Sequence, residues 1–222
     1  MRSYRTLCIA IISIVFVSRA AEAVDILSSD IFLDALIGVD AEDKNDGGSV
    51  IGPLGFNSIG GLAYDENNGI LYGTSQDNTL IDELIMIDAN TGAGVLIGAV
   101  GFDSVGGLAY DRNNDILYGA ALFDAPSRQL ITIDTSTGVG TAIGVFGEFS
   151  VVGLAYDSVN SILYGSDNLG DQLLTINTTT GTATVVGSLG FSSVQGLAYS
   201  SVSRTLYGVA NGKTGLFGIA SP

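Results

Sequence analysis

Five oxygen-bearing side chains crowd one short stretch: Asp40, Glu42, Asp43, Asn45 and Asp46, followed by Gly47 and Gly48. Alternating acidic ligands with a glycine at the bend are the chemistry of a calcium loop. The spacing is not that of an EF-hand, and Lys44 stands where that motif needs a ligand. The stretch also aligns with the ordinary turn Asp88–Gly94, lengthened by two residues. A solvated turn is therefore the preferred reading, with calcium as the alternative and no other cofactor expected.

Composition removes most other chemistry. The chain has no histidine, so a histidine general base, triad or metal ligand is excluded. Its one cysteine, Cys8, lies in the N-terminal segment, leaving neither disulfide nor thiolate chemistry downstream. Glycoside hydrolysis needs two carboxylates flanking one pocket. Acids abound, yet no pair is set apart by its context. No catalytic residue is nominated, and the expectation leans away from an enzyme.

What remains is a set of polar and aromatic residues on loops: Asp77, Asn78 and Asp82, then Phe123, Asp124 and Arg128, then Asp167, Asn168 and Asp171, then Asn211 and Lys213. They group this way because the chain is a repeat. Gly-Leu-Ala-Tyr starts at Gly61, Gly107, Gly153 and Gly196, and Leu-Tyr-Gly follows ten residues after each start. Steps of 46, 46 and 43 residues suit a four-stranded propeller blade.

Within the unit 55–100, Gly61–Tyr64 reads as strand a and Ile70–Gly73 as strand b. Leu84–Asp88 is strand c and Val95–Gly98 strand d. β-branched and aromatic residues dominate all four, and the turns between them use Asp, Asn and Gly. The eight tyrosines of strands a and b recur too regularly for a cofactor site and read as core, with their hydroxyls reaching polar partners. The units are 55–100, 101–147 and 148–190, with a composite blade expected from 33–54 and 191–222. Closing the ring with strands from both termini protects the sheet edges. The fold class expected is an all-β propeller of four four-stranded blades. Strand c has five copies, the first Leu36–Asp40 and the last Leu216–Ile219. The spare copy packs as an extra edge, displaces the N-terminal copy, or marks a longer array.

In a propeller the d–a and b–c connections share one face. Here the a–b turns hold their length while the b–c loops run ten, ten, seven and seven residues. Variable loops on a fixed scaffold are where function concentrates. That face carries the loop residues above, together with Asn57, Asp103 and Glu148. Gln195 joins them at the start of strand a, where the other copies have Gly60, Gly106 and Val152.

Residues 1–23 read as a secretory signal peptide: Arg2 and Arg5, the apolar run Leu7–Val17, and Ala21-Glu22-Ala23 at the cut. A run of eleven residues, broken only by Ser13, is too short to span a bilayer, which takes about 20. The domain expected is 24–222, secreted or periplasmic, without membrane insertion after cleavage. The leader takes Arg2, Arg5, Arg19 and Glu22 with it. That leaves 5 basic and 22 acidic residues of the chain's 8 and 23, a net charge of −17 instead of −15. Such a surface repels nucleic acid, so the partner expected is an extracellular protein or glycan.

The pattern Gly-Leu-Ala-Tyr-Asp, Leu-Tyr-Gly, Leu-x-x-Ile-Asp-x-x-Thr-Gly, Ile-Gly resembles the YVTN-type and quinoprotein-like β-propeller repeats of bacterial exported proteins. The likeness runs over roughly residues 33 to 220 and implies the fold more than any one role. Members that bind pyrroloquinoline quinone usually close each unit with a tryptophan. This chain has none, so the resemblance implies the fold without the quinone. A binding or interaction scaffold is the first expectation. A propeller enzyme acting on a sugar or lactone, with calcium, and a structural envelope or matrix protein are the alternatives.

Overall fold

Short apolar segments separated by Asp, Asn and Gly turns can bury both faces only by stacking sheet on sheet, and the structure does this. The computed structural model describes residues 11–20, 23–30, 34–40, 49–76, 81–122, 128–210 and 217–219. Among these, every regular element is a β-strand. The first sheet is β1 (Ile11–Ala20), β2 (Ala23–Asp30), β3 (Ala35–Asp40) and β4 (Ser49–Pro53). The second is β5 (Ile59–Asp65), β6 (Ile70–Ser75), β7 (Glu83–Ile87) and β8 (Gly94–Ala99). The third is β9 (Val105–Asp111), β10 (Ile116–Ala121), β11 (Gln129–Ile133) and β12 (Gly140–Val145). The fourth is β13 (Val151–Asp157), β14 (Ile162–Asp167), β15 (Gln172–Ile176) and β16 (Ala183–Ser188). The fifth has three strands, β17 (Val194–Ser200), β18 (Thr205–Ala210) and β19 (Phe217–Ile219). All pairings are antiparallel meanders, and strands a to d of the three middle units fall where the repeat placed them.

The first strands of the sheets lie side by side about an axis. β5 lies against β9, β9 against β13 and β13 against β17, while β1 lies against both β5 and β17. The core fills the spaces between neighbouring sheets. Ala63, Tyr72 and Leu84 of the second sheet pack with Leu108, Leu117, Ile131 and Ile133 of the third. Leu154, Leu163, Leu174 and Ile176 of the fourth pack with Tyr118, Ala120 and Leu130 of the third. Each fully buried Leu or Ile contributes about 1.5–3 kcal/mol.

Two glycine contacts set how closely the sheets approach. A Cβ on Gly107 would lie 2.9 Å from the Val152 carbonyl oxygen and 3.0 Å from the Leu154 nitrogen, both backbone of the next inner strand. The glycine of Gly-Leu-Ala-Tyr is thus demanded by crowding at the axis. At the rim, the Gly98 of β8 meets the Thr137-Gly138 turn of the third sheet: its Cβ would lie 2.2 Å from the Thr137 oxygen. Gly138 holds φ +83, open to glycine at no steric cost. Gly140 donates to the Val100 carbonyl at 2.8 Å beside it.

The composite blade expected from 33–54 and 191–222, and with it the count of four, is not the arrangement found. β3 pairs with β2, Ile26 opposite Val39 and Ser28 opposite Ile37. β18 pairs on its outer side with β19, Leu206 opposite Ile219. The apolar run assigned to the leader thus supplies an inner strand, β1, and the spare copy of strand c displaces the N-terminal one. The physical reason is availability. β2 reaches β3 through a short connection, whereas β3 and β18 are far apart in sequence.

Candidate functional site

The a–b turns close the axial channel at one end. Asp65 is buried and accepts from the Asn67 nitrogen at 2.8 Å, the Asn68 nitrogen at 3.1 Å and Asn68 Nδ2 at 2.7 Å. Asp111 and Asp157 repeat this with Asn114 and Asn160. The tyrosine of the following inner strand reaches each carboxylate: Tyr110 to Asp65, Tyr156 to Asp111 and Tyr199 to Asp157. Burial first, then the hydrogen bond to Asp111, pushes the Tyr156 phenol up to about 12. Burial alone would raise Asp157, but its bonds from Asn160 and Val159 together hold it below the usual value. Tyr110 also donates to Asp115, and Arg112 pairs with Glu66 across the rim. A cavity of about 60 Å³ lies between the four tyrosines, with Leu and Ala beneath them. The carboxylates here hold backbone amides and phenols, so their chemistry is structural.

The other end carries the b–c loops. Asp77, Asn78, Phe123, Asp124, Asn211 and Lys213 lie outside the described residues, as do Glu42, Asp43, Asn45 and Asp46 of the calcium stretch. Asp40 ends β3. The described residues contain no group of three acidic, histidine or cysteine side chains able to hold a metal.

Asp82, Arg128 and Asp171 occupy one position, just before strand c. Their carbonyls accept from Val100 at 2.8 Å, Phe146 at 3.1 Å and Leu189 at 2.9 Å. Asp82 Oδ2 also accepts from the Val105 nitrogen at 2.7 Å, and Asp171 Oδ1 from Ser193 at 2.9 Å. Asp167 is buried and takes three backbone amides: Ser150 at 2.8 Å, Leu169 at 3.2 Å and Gly170 at 2.9 Å. These three carboxylates tie loop to turn.

Asn168 and Gln195 differ. Asn168 is exposed, and Gln195 Nε2 reaches its Oδ1 at 3.5 Å. Gln195 lines the narrow mouth of the channel, where Gly61, Gly106, Gly107, Gly153 and Gly196 leave about 10 Å³. Gln76, which the sequence reading passed over, donates through Nε2 to Asp103 Oδ1 at 3.2 Å. Its signal was alignment: Gln76, Leu122, Asn168 and Asn211 all follow strand b. Asn57 contributes its carbonyl to Ser75 Oγ at 2.9 Å, and Glu148 is exposed. The mouth thus presents two amide-bearing pairs, Gln76 with Asp103 and Asn168 with Gln195, over a channel too narrow to admit a ligand.

No protein-family profile matches the chain. No curated protein matches it significantly. Solved structures do. One is a nidogen/laminin complex, with 17% identity over 80% of this chain and 67% of that one, TM-score 0.61. Another is the PQQ-bound aldose sugar dehydrogenase of Streptomyces coelicolor, 12% identical over 96% and 91%, TM-score 0.60. A third is a gluconolactonase of Xanthomonas campestris, 11% identical over 86% and 67%, TM-score 0.61. These are β-propeller proteins, and likeness at such identity shows the propeller fold alone.

Proposed function

We propose that this chain is an exported, non-catalytic propeller, secreted or periplasmic, that binds an extracellular glycan or protein on its b–c face. The exported chain, in this reading, is four four-stranded blades closed by strands of both termini. The observation that carries the binding assignment is the mouth itself, where Asn168 and Gln195 meet at 3.5 Å above a space of about 10 Å³. Side-chain amides donate and accept at once, which suits hydroxyls and peptide groups and does not require a charged partner. A ligand must then lie across the face rather than enter it. The net charge of −15 disfavours nucleic acid.

The test is a panel of soluble glycans and candidate envelope proteins against wild-type protein and the Asn168→Ala/Gln195→Ala double variant. Loss of these bonds is expected to weaken binding by roughly ten-fold, at about 0.5–1.5 kcal/mol for each neutral hydrogen bond. A folded double variant with unchanged affinity moves the site off the mouth.

A sugar or lactone enzyme, with calcium, is the second reading. The resemblance in fold to a gluconolactonase and an aldose sugar dehydrogenase favours it. Against it stands the size of the channel: about 60 Å³ at its wider end, where ligand pockets run to about 300–1,000 Å³. A calcium titration followed by thermal melting separates the two. An ion bound only by the native state raises the midpoint, and an unchanged midpoint at saturating calcium removes the calcium enzyme.

A further inference from the structure

A repeat carries its own control. A residue kept with its bonds at every junction between sheets serves the fold. A departure at one junction, its structural duty taken over elsewhere, leaves a side chain released for another use. The rim clasp is of the first kind: Gly52 meets Thr91-Gly92, Gly98 meets Thr137-Gly138 and Gly144 meets Thr180-Gly181, with carbonyl oxygens 2.0–2.2 Å from the position a Cβ would take. The junction of the third and fourth sheets keeps this clasp and departs in two other places, both on the b–c face. The residue before strand c is Asp34, Asp82 or Asp171 in the other sheets, and Arg128 here. Asp82 and Asp171 hold the start of the next inner strand through the Val105 and Ser193 amides. Arg128 has no acceptor to do so. The start of β13 is held from its own sheet instead, where Asp167 takes the Ser150 amide at 2.8 Å. Asp167 stands where the preceding two sheets have Ser75 and Ala121.

The second departure is the d–a turn. Gly55-Phe56-Asn57-Ser58, Gly101-Phe102-Asp103-Ser104 and Gly190-Phe191-Ser192-Ser193 share one pattern, but this junction has Gly147-Glu148-Phe149-Ser150. Phe56 and Phe102 lie over the first glycine of the next strand d. A Cβ on Gly94 or Gly140 would come within 2.8 Å and 2.7 Å of their rings. Ala183 takes that place in the fourth sheet, so a ring at 148 would have no room in the same position. Phe149 joins the core beside Ala183 instead, and Glu148 is exposed. Among the described residues, neither Arg128 nor Glu148 forms an ion pair or a side-chain hydrogen bond. They border one turn: Phe146 donates to the Arg128 carbonyl at 3.1 Å, and Ser150 accepts from the Asn168 nitrogen at 2.9 Å.

We propose that the junction of the third and fourth sheets is the ligand site of the b–c face, and that its ligand is a neutral glycan whose adjacent hydroxyls are held by Arg128 and Glu148. This rests on the reading of that face as a binding surface and names its ligand class. A guanidinium only donates and an ionised carboxylate only accepts, whereas a hydroxyl does both. Adjacent hydroxyls therefore satisfy such a pair, with Asn168 and Gln195 continuing the polar surface toward the mouth. The charges of Arg128 and Glu148 cancel, and a chain of net charge −15 repels an anionic ligand. A protein partner draws most of its affinity from aromatic and other large anchors. The one aromatic residue of this turn, Phe149, is packed against the core.

The test is calorimetric titration of the full chain with linear hexasaccharides of glucose, mannose and galactose, and with an oligogalacturonate of the same length as the acidic comparator. Wild type is compared with Arg128→Gln, Glu148→Gln and the Asn168→Ala/Gln195→Ala double variant. The expected result is binding of a neutral hexasaccharide that changes less than about two-fold between about 50 and 500 mM salt, since no net charge is neutralised. Each single variant is expected to weaken it roughly ten-fold or more, as for hydrogen bonds to charged groups. Neither side chain holds backbone, so the melting temperatures of both should equal that of wild type. A fall of several degrees in either overturns the claim that these residues are released from the fold. Loss of binding in the double variant alone, with both single variants unaffected, overturns this site and leaves the mouth reading standing. Binding of the oligogalacturonate alone, lost in Arg128→Gln and strengthened in Glu148→Gln, overturns the neutral ligand. No binding of any hexasaccharide at millimolar concentration overturns the glycan assignment and leaves a protein as the partner of that face.

Discussion

Gly106 and Gly107 are adjacent in β9 and face opposite fates on substitution by alanine. A Cβ at Gly107 meets backbone on every side: Val152 oxygen at 2.9 Å, Leu154 nitrogen at 3.0 Å and Gly153 carbonyl carbon at 3.2 Å. None can move without shifting β13, so the inner strands must part. Overpacking of this kind costs about 1–3 kcal/mol. Against it stands the entropy that alanine removes from the unfolded chain, about 0.4–1 kcal/mol. Gly107→Ala is therefore expected to destabilise by about 1–2 kcal/mol. At Gly106 the nearest atom is Leu122 Cδ1 at 3.2 Å, the end of a flexible side chain, and the Val152 oxygen stands off at 3.6 Å. Two of the other three units hold Val152 and Gln195 at this position, and the third Gly60, so a side chain can be fitted there. Gly106→Ala is expected to be neutral or stabilising by up to about 1 kcal/mol. Urea unfolding followed by circular dichroism measures both, with the midpoint falling at constant slope if only stability changes. At about 2–4 °C per kcal/mol for a chain of this size, the two melting temperatures should separate by several degrees. Equal midpoints for the two variants would refute the close approach of β9 and β13.

Asp157→Ala removes the acceptor of the Val159 and Asn160 amides and of Asn160 Nδ2. It should destabilise by about 2–4 kcal/mol, as expected when buried donors lose a charged partner; a midpoint within experimental error of wild type would show that the turn holds without it. Asp157, Asp88 and Asp134 all titrate below their ordinary value in the folded protein. Their contribution is thus complete above the unfolded pKa and is lost as pH falls below about 4. Thermal melting should be flat from neutrality down to about pH 5 and then drop, and a drop beginning near pH 6 would contradict the assignment. The phenol of Tyr156 is raised to about 12, so its folded form favours the neutral group. Stability should decline as pH rises above about 10, in step with phenolate absorbance, and Tyr156→Phe should shrink that decline.

Much of this architecture was legible because the repeat writes its constraints into single residues. Gly-Leu-Ala-Tyr-Asp reads as a strand ending in a turn, and the structure adds why each member is there. The glycine admits the next inner strand, and the tyrosine reaches the carboxylate of the preceding sheet. The aspartate closes the turn while buried. The glycines of the turns, Gly69 and Gly92, take left-handed conformations, at φ 70 and φ 79. The outer partner of β18 was not legible. β3 and β19 are copies of one strand, with similar apolar pattern, and local sequence does not rank two competing edges. Nor could sequence divide the loop acids. Asp82, Asp167 and Asp171 look like ligands as readily as Asn168 does, and only the backbone amides around them show that they serve the loops. Gln76 was missed for the converse reason. It lies in the first b–c loop, where nothing in the sequence sets it apart from its polar neighbours.

Every middle unit carries both halves of the rim clasp, a glycine on strand d and a threonine-glycine turn before it. A duplicated unit inserted between two others would find a socket on one side and fill one on the other, while the sheets about the axis would each turn slightly to admit it. Such a unit resembles a monomer with a head and a tail, meeting only its neighbours. Copy number is then a property of the ends, where the series must be stopped or joined, and not of any residue inside the repeat.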